Sequence, residues 1–210
     1  MNVFQMLRPP DLVSLLNLIC GIGSIAAAHN GSFDLALILL LLAAVADGVD
    51  GYIARRFKGG ELGEQLDSLA DAVSFGVAPA LFVYMQFGSE DPLIAILPGF
   101  YAICGVLRLA RFNSVSSNKT GFEGLPITAA CVMLVTYLLL GESLVIIDFV
   151  LALSLALSLL MVSSVSYPKI RNIKLLGFVA SVFGITMLLY FVDVTYDVKY
   201  LRIFSILPFI

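Results

Sequence analysis

From Leu12 to Ala28 the chain carries no charged residue, and further apolar stretches follow one another to near its end, separated by short polar connections. With 60% hydrophobic and only 13% charged residues, and a mean hydropathy of +1.01, this is the pattern of a polytopic membrane protein. Hydrocarbon offers no water to the backbone, so each stretch must satisfy its own amide groups as a helix. The expected fold is therefore all-α, a transmembrane bundle of seven to eight spans.

Six spans are expected at about 12–28, 35–55, 62–87, 93–112, 124–140 and 143–165, with a seventh at 175–192. The tail 196–210 is apolar after Arg202 but short for a full span, and is read as a final span in preference to an interfacial helix. Pro9-Pro10 is placed to open the first helix. That first stretch is too long, and too poor in a cleavage site, for a removable signal peptide. Residues 1–210 form one integral membrane domain, with a catalytic core at about 8–140 and additional spans at about 143–210.

Charge sets the orientation. If the spans alternate, Arg8, Arg55, Arg56, Lys58, Arg108, Arg111, Lys119, Lys169, Arg171 and Lys174 share one side, while the loops around Asn30, Glu90-Asp91 and Glu142 have no Lys or Arg. By the positive-inside rule the basic side is cytoplasmic. Lys199 and Arg202 fall on the opposite side and are the exception. A net charge of −3 says little about partners, and no nucleic-acid partner is expected. Cys20, Cys104 and Cys131 lie in apolar runs without metal-ligand spacing, and a disulfide framework is not expected.

Against this background four carboxylates stand out, in Asp47-Gly-Val-Asp50-Gly-Tyr-Ile-Ala-Arg55 and Gly63-Glu-Gln-Leu-Asp67-Ser-Leu-Ala-Asp71. An ionised side chain in a membrane segment is expensive unless partnered. Helical geometry puts Asp47 and Asp50 on one face and Asp67 and Asp71 on one face of the next helix. Brought together they form a cluster of hard oxygen ligands suited to Mg²⁺ or Ca²⁺. Gly48, Gly51, Ala54 and Gly63 keep the surrounding backbone bare for a bulky phosphorylated ligand, and Arg55 offers a fork for phosphate.

Asp-x-x-Asp-Gly-x-x-Ala-Arg followed by Gly-x-x-x-Asp-x-x-x-Asp resembles the signature of the CDP-alcohol phosphotransferase family, carried here by Asp47, Asp50, Gly51, Ala54, Arg55, Gly63, Asp67 and Asp71. The linker between the halves is about one residue shorter than usual, which reads as a trimmed surface loop. The resemblance implies two divalent cations, Mg²⁺ or Mn²⁺, with Ca²⁺ as a bound non-productive ion. It implies that Asp47, Asp50 and Asp67 are metal ligands, and that Asp71 both touches a metal and acts as general base. Gly51, Ala54 and Gly63 would border the nucleotide of a CDP-linked lipid, and CMP would be released.

The run Leu66 to Pro79, with Arg108-Leu-Ala-Arg111-Phe-Asn113 and Gly124-Leu-Pro126, is similar to the serine-accepting branch of that family. It implies L-serine as acceptor, and CDP-diacylglycerol or CDP-archaeol as donor, with the tails left among membrane lipids. Relatives imply a homodimer. Serine brings a carboxylate, and Arg108 and Arg111 are the cations placed to receive it or the transferred phosphate; ordinary positive-inside anchoring explains them equally well. Ser74 and Asn113 are further candidates for that pocket, although Ser74 is also placed for a helix-internal hydrogen bond. Asn17, Gly21 and Gly23 form a small polar stripe on the first span, explained by close helix packing or by a binding cleft.

Two other readings stay open at this stage. One is a relative that accepts glycerol phosphate or inositol phosphate. The other is a cation transporter with carboxylates near the membrane, which leaves Arg55 and the glycine spacing unexplained.

Overall fold

The computed structural model describes residues 7–56, 62–88, 92–115, 122–140 and 144–167. Within them the chain is helical apart from one two-residue antiparallel pairing. The helices are α1 (Pro9–His29), α2 (Phe33–Arg56), α3 (Gly63–Asp71), α4 (Ala78–Phe87), α5 (Ile96–Val115), α6 (Ile127–Leu138) and α7 (Ile147–Val162). A π-helical turn, Ala72–Val77, joins α3 to α4 into one rod, and a 3₁₀ turn, Pro92–Ala95, leads into α5. The expected seventh span and the tail lie outside the described residues.

Among the described residues two segments, Asp11–His29 and Gly63–Phe87, are long and apolar enough to cross a membrane by length and composition. The first six expected stretches each correspond to a helix or to the jointed α3–α4 rod. α1 starts at the Pro9-Pro10 pair, where missing N–H groups cost nothing, and Arg8 N–H donates to the Asp11 carboxylate at 2.7 Å. The chain then turns through Gly31, whose φ of +75° suits glycine, and α2 returns along α1.

Two helices bury polar residues while exposing large apolar ones. On α1, Asp11, Ser14, Asn17 and Ser24 are buried, while Leu12, Leu16, Ile19 and Ile22 are each more than half exposed, reaching 64% at Ile19. α7 repeats this, with Ser154 and Ser158 inside and Phe149, Leu159 and Leu160 outside. Small and polar residues at helix contacts, with large apolar ones facing outward, suit a surrounding of lipid.

Polar ties hold the bundle at defined heights. Ser24 Oγ donates to the Ala36 carbonyl at 2.9 Å, linking α1 to α2, and Ser74 Oγ donates to the Asn17 carbonyl at 3.0 Å, linking the π turn to α1. Tyr101, fully buried on α5, donates its hydroxyl to the Phe75 carbonyl at 3.1 Å. A π turn disturbs the regular helical ladder, and this bond satisfies a carbonyl within it. α1 passes the π turn so closely that a Cβ on Gly21 would lie 2.7 Å from Ser74 Cα. The apolar core includes Phe75, Phe82, Tyr101, Ile127, Leu134 and Met161.

The pairing sets Phe122 against Tyr167 and Glu123 against Ser166. Gly124 follows with φ of +80° and lies against the Met161 backbone, so the entry to α6 is folded onto the end of α7.

Candidate metal and phosphoryl-transfer site

α2 and α3 converge at Asp47, Asp67 and Asp71, each able to offer one carboxylate oxygen within 4.8 Å of the others. The convergence follows from the local helices. Asp67 and Asp71 are one turn apart on α3, and Asp47 is carried in from α2. Carboxylates this close repel, and an all-oxygen donor set without Cys or His fits a hard divalent cation. Asp50 follows Asp47 on the α2 backbone, as do Gly51, Ala54 and Arg55. The side chains of residues 50–56 lie outside the described residues.

The acids are held in place. Asn17 Nδ2 donates to Asp71 Oδ1 at 2.9 Å from α1, and Thr128 Oγ1 donates to Asp47 Oδ2 at 2.9 Å from the first turn of α6. Asp71 is 7% exposed and Asn17 wholly buried, so the Asn17 bond is protected from solvent. Asn17 had an indication in the sequence, as the polar member of a small-residue stripe. Thr128 had none, since a threonine opening an apolar helix carries no sign of a partner so far back in the chain.

The glycines separate into two kinds. A Cβ built on Gly48 would meet nothing described within 4 Å, so no close described neighbour requires a glycine there. On Gly63 it would sit 2.7 Å from Asp11 Oδ1, so the bareness of Gly63 accommodates the buried Asp11 carboxylate at the start of α1.

The two arginines also diverge. Arg108, 7% exposed, lies close enough to Asp71 and Asp47 to interact with both charges, and its guanidinium carbon stands 5.4 Å from the centre of the Phe112 ring. Its Nε is buried without a hydrogen-bond partner among the described residues, as is Asn17 Oδ1. Arg111 points its donors elsewhere. Nη1 bonds the Val162 carbonyl at 3.1 Å, and Nη2 bonds those of Glu123, Met161 and Ser163 at 2.7, 3.2 and 3.0 Å. These are the orphan carbonyls of the α7 C-terminus and its neighbouring strand, so Arg111 caps a helix.

Ser74 is buried and bonded to α1. Asn113 exchanges hydrogen bonds with Ser68, at 3.0 and 3.2 Å, tying the end of α5 beside Asp67. Of the four residues considered for the acceptor pocket, Arg108 alone has a buried polar atom left open beside the aspartates.

Known proteins are similar to most of the chain. It is 40% identical over 166 residues to the archaetidylserine synthase of Methanothermobacter thermautotrophicus, covering 77% of this chain and 70% of that one. It is 38% identical over 172 residues to the CDP-diacylglycerol–serine O-phosphatidyltransferase of Methanocaldococcus jannaschii, covering 81% and 79%. With the Helicobacter pylori enzyme of the latter name the identity is 34% over 175 residues, covering 79% and 73%. The sequence family described as CDP-alcohol phosphatidyltransferase matches residues 7–163, a span that holds every aspartate of the cluster and the two side chains that orient it. The chain belongs to the CDP-alcohol phosphatidyltransferase family.

Proposed function

We propose that this protein is a phospholipid-synthesising transferase that moves the phosphatidyl or archaetidyl group of a CDP-lipid to the hydroxyl of L-serine and releases CMP. The observation that carries the chemistry is the convergence of Asp47, Asp67 and Asp71 within 4.8 Å. The names of the relatives support serine as acceptor.

Asp47, Asp67 and Asp71, with Asp50 from the same motif, are the residues that would hold divalent cations, Mg²⁺ or Mn²⁺. Bound there, such ions would neutralise the diphosphate and polarise the phosphorus bonded to the lipid. Asp71 takes the proton of the serine hydroxyl, which is a weak nucleophile until deprotonated. The serine oxygen then forms a bond to the phosphorus next to the lipid, and the bond from that phosphorus to the bridging oxygen breaks. That oxygen leaves with the electron pair as part of CMP. Asn17 keeps Asp71 aimed, and Thr128 does the same for Asp47.

Exposed Leu12, Leu16, Ile19 and Ile22 over buried Asn17 and Ser24 on α1, and exposed Phe149, Leu159 and Leu160 over buried Ser154 and Ser158 on α7, support a multi-pass arrangement in lipid. The basic residues of the motif and of the α5 end support a site at the cytoplasmic face. The donor's tails stay in the bilayer while its head group reaches the aspartates.

The test is CMP release from CDP-diacylglycerol and from CDP-archaeol by the purified protein, with L-serine, glycerol phosphate, inositol phosphate or no acceptor, in Mg²⁺ or Mn²⁺. Serine-dependent CMP is expected with at least one donor. CMP with a phosphorylated acceptor alone would replace serine, and ion flux in proteoliposomes without any CMP would restore the transporter reading.

A further inference from the structure

Two buried polar atoms, one on the Asn17 amide that bonds Asp71 and one on Arg108, whose charge interacts with Asp71, have no partner among the described residues, and their chemistries are complementary to the two ends of an amino acid. Asn17 Oδ1 is an acceptor and Arg108 Nε–H a charged donor. A buried polar group left unpaired is destabilising, so each of these atoms has a hydrogen bond to offer to a bound ligand. Asn17 Oδ1 cannot be far from the reacting hydroxyl. Its amide nitrogen bonds Asp71 at 2.9 Å, and amide bond lengths keep the oxygen within about 5.5 Å of that carboxylate. Arg108 approaches Asp71 from α5, braced on the Phe112 ring.

We infer that Asn17 and Arg108 together read the amino-acid head of the acceptor, Asn17 Oδ1 accepting a hydrogen bond from the ammonium and Arg108 Nε donating one to the carboxylate, with the hydroxyl held at Asp71. This assignment rests on the serine-transfer reading above. One amide thus serves two purposes, its nitrogen orienting the base and its oxygen selecting an amine-bearing substrate. An acceptor without an ammonium leaves Asn17 Oδ1 unpaired, and one without a carboxylate leaves Arg108 Nε unpaired. Sites built to bond a substrate group reject analogues lacking it. The reciprocal bonds of Asn113 and Ser68, and those of Arg111 to α7, exclude them from the same task.

The experiment compares kcat/KM for L-serine, 3-hydroxypropionate (no ammonium) and ethanolamine (no carboxylate) in CMP release by the wild type, Asn17→Leu and Arg108→Gln. Loss of the Asn17 Nδ2 bond to Asp71 slows every acceptor alike, so the ratio between acceptors isolates Oδ1. The wild type should prefer serine over 3-hydroxypropionate by about 10–100-fold, the range of a buried hydrogen bond to a charged group. In Asn17→Leu that preference should fall to within about threefold, with the preference over ethanolamine retained. Arg108→Gln should show the converse. Asn17→Ala, smaller and less liable to disturb the contact between α1 and the π turn, provides the same ratio should the leucine variant not accumulate. If serine and 3-hydroxypropionate slow together with their ratio unchanged, Asn17 only positions Asp71 and the assignment is overturned. A wild type that ignores serine but uses another alcohol would instead refute the serine-transfer reading.

Discussion

Three residues distant in sequence give the aspartates their geometry. Asn17 and Thr128 act through single hydrogen bonds to Asp71 and Asp47, and Arg108 brings the nearby positive charge. Removing a group that orients a metal ligand typically costs about 10–100-fold in metal affinity. Thr128→Val, nearly isosteric, should therefore raise the Mn²⁺ concentration for half-maximal CMP release by about that factor while leaving the melting temperature near that of the wild type. Equal Mn²⁺ dependence would remove Thr128 from the site. Asp71→Asn should abolish transfer, with a loss of at least about 10²-fold for the missing general base, while CDP-lipid still protects the variant against thermal unfolding. Full activity in that variant would move the base elsewhere.

At the scale of elements, the junctions matter more than the helices. The π turn after Asp71 is stabilised by Tyr101 and by Ser74, and Gly21 lets α1 approach it. Gly21→Val would drive a side chain into the Ser74 backbone and push α1, with Asn17, away from Asp71. A loss of about 1–3 kcal/mol in stability is expected, together with reduced CMP release. Unchanged stability would mean that the two elements are not so tightly apposed. Arg111 is a junction of another kind. Arg111→Ala should uncap α7 and lower stability by about 2 kcal/mol, while the serine KM of the surviving protein stays the same. A raised serine KM would return Arg111 to the acceptor pocket.

The six helical stretches and the meeting of α2 with α3 were legible because apolar run length and carboxylate spacing are local signals. The junctions were not. Nothing in Ala72–Val77 marks a π turn, since it exists through contacts with α1 and α5. Arg108 and Arg111, one turn apart, are indistinguishable as sequence. Only the position of α7 makes one a cap and leaves the other beside the acids. Gly63 is a signature position whose described neighbour, the Asp11 carboxylate, comes from the start of α1.

Among the described residues, the protein packs an apolar core around Phe75, Phe82 and Tyr101, buries Asn17, Asp71 and Arg108 inside the bundle, and leaves apolar side chains such as Leu12, Ile19 and Phe149 on its outer faces. The bundle is thus a means of keeping charged chemistry at the edge of hydrocarbon, where a CDP-lipid can present its diphosphate without leaving the bilayer. Everything proposed depends on Asp47, Asp67 and Asp71 gripping cations jointly. The most direct measurement is Mn²⁺ binding to the detergent-solubilised protein by electron paramagnetic resonance, in the wild type and in Asp67→Asn, with CMP release followed through EDTA treatment and Mn²⁺ add-back. Saturable Mn²⁺ binding that Asp67→Asn weakens at least about tenfold, with CMP release abolished by EDTA and restored by Mn²⁺, is the predicted result. Unaltered Mn²⁺ binding in the variant, or CMP release that persists in EDTA, would contradict the account.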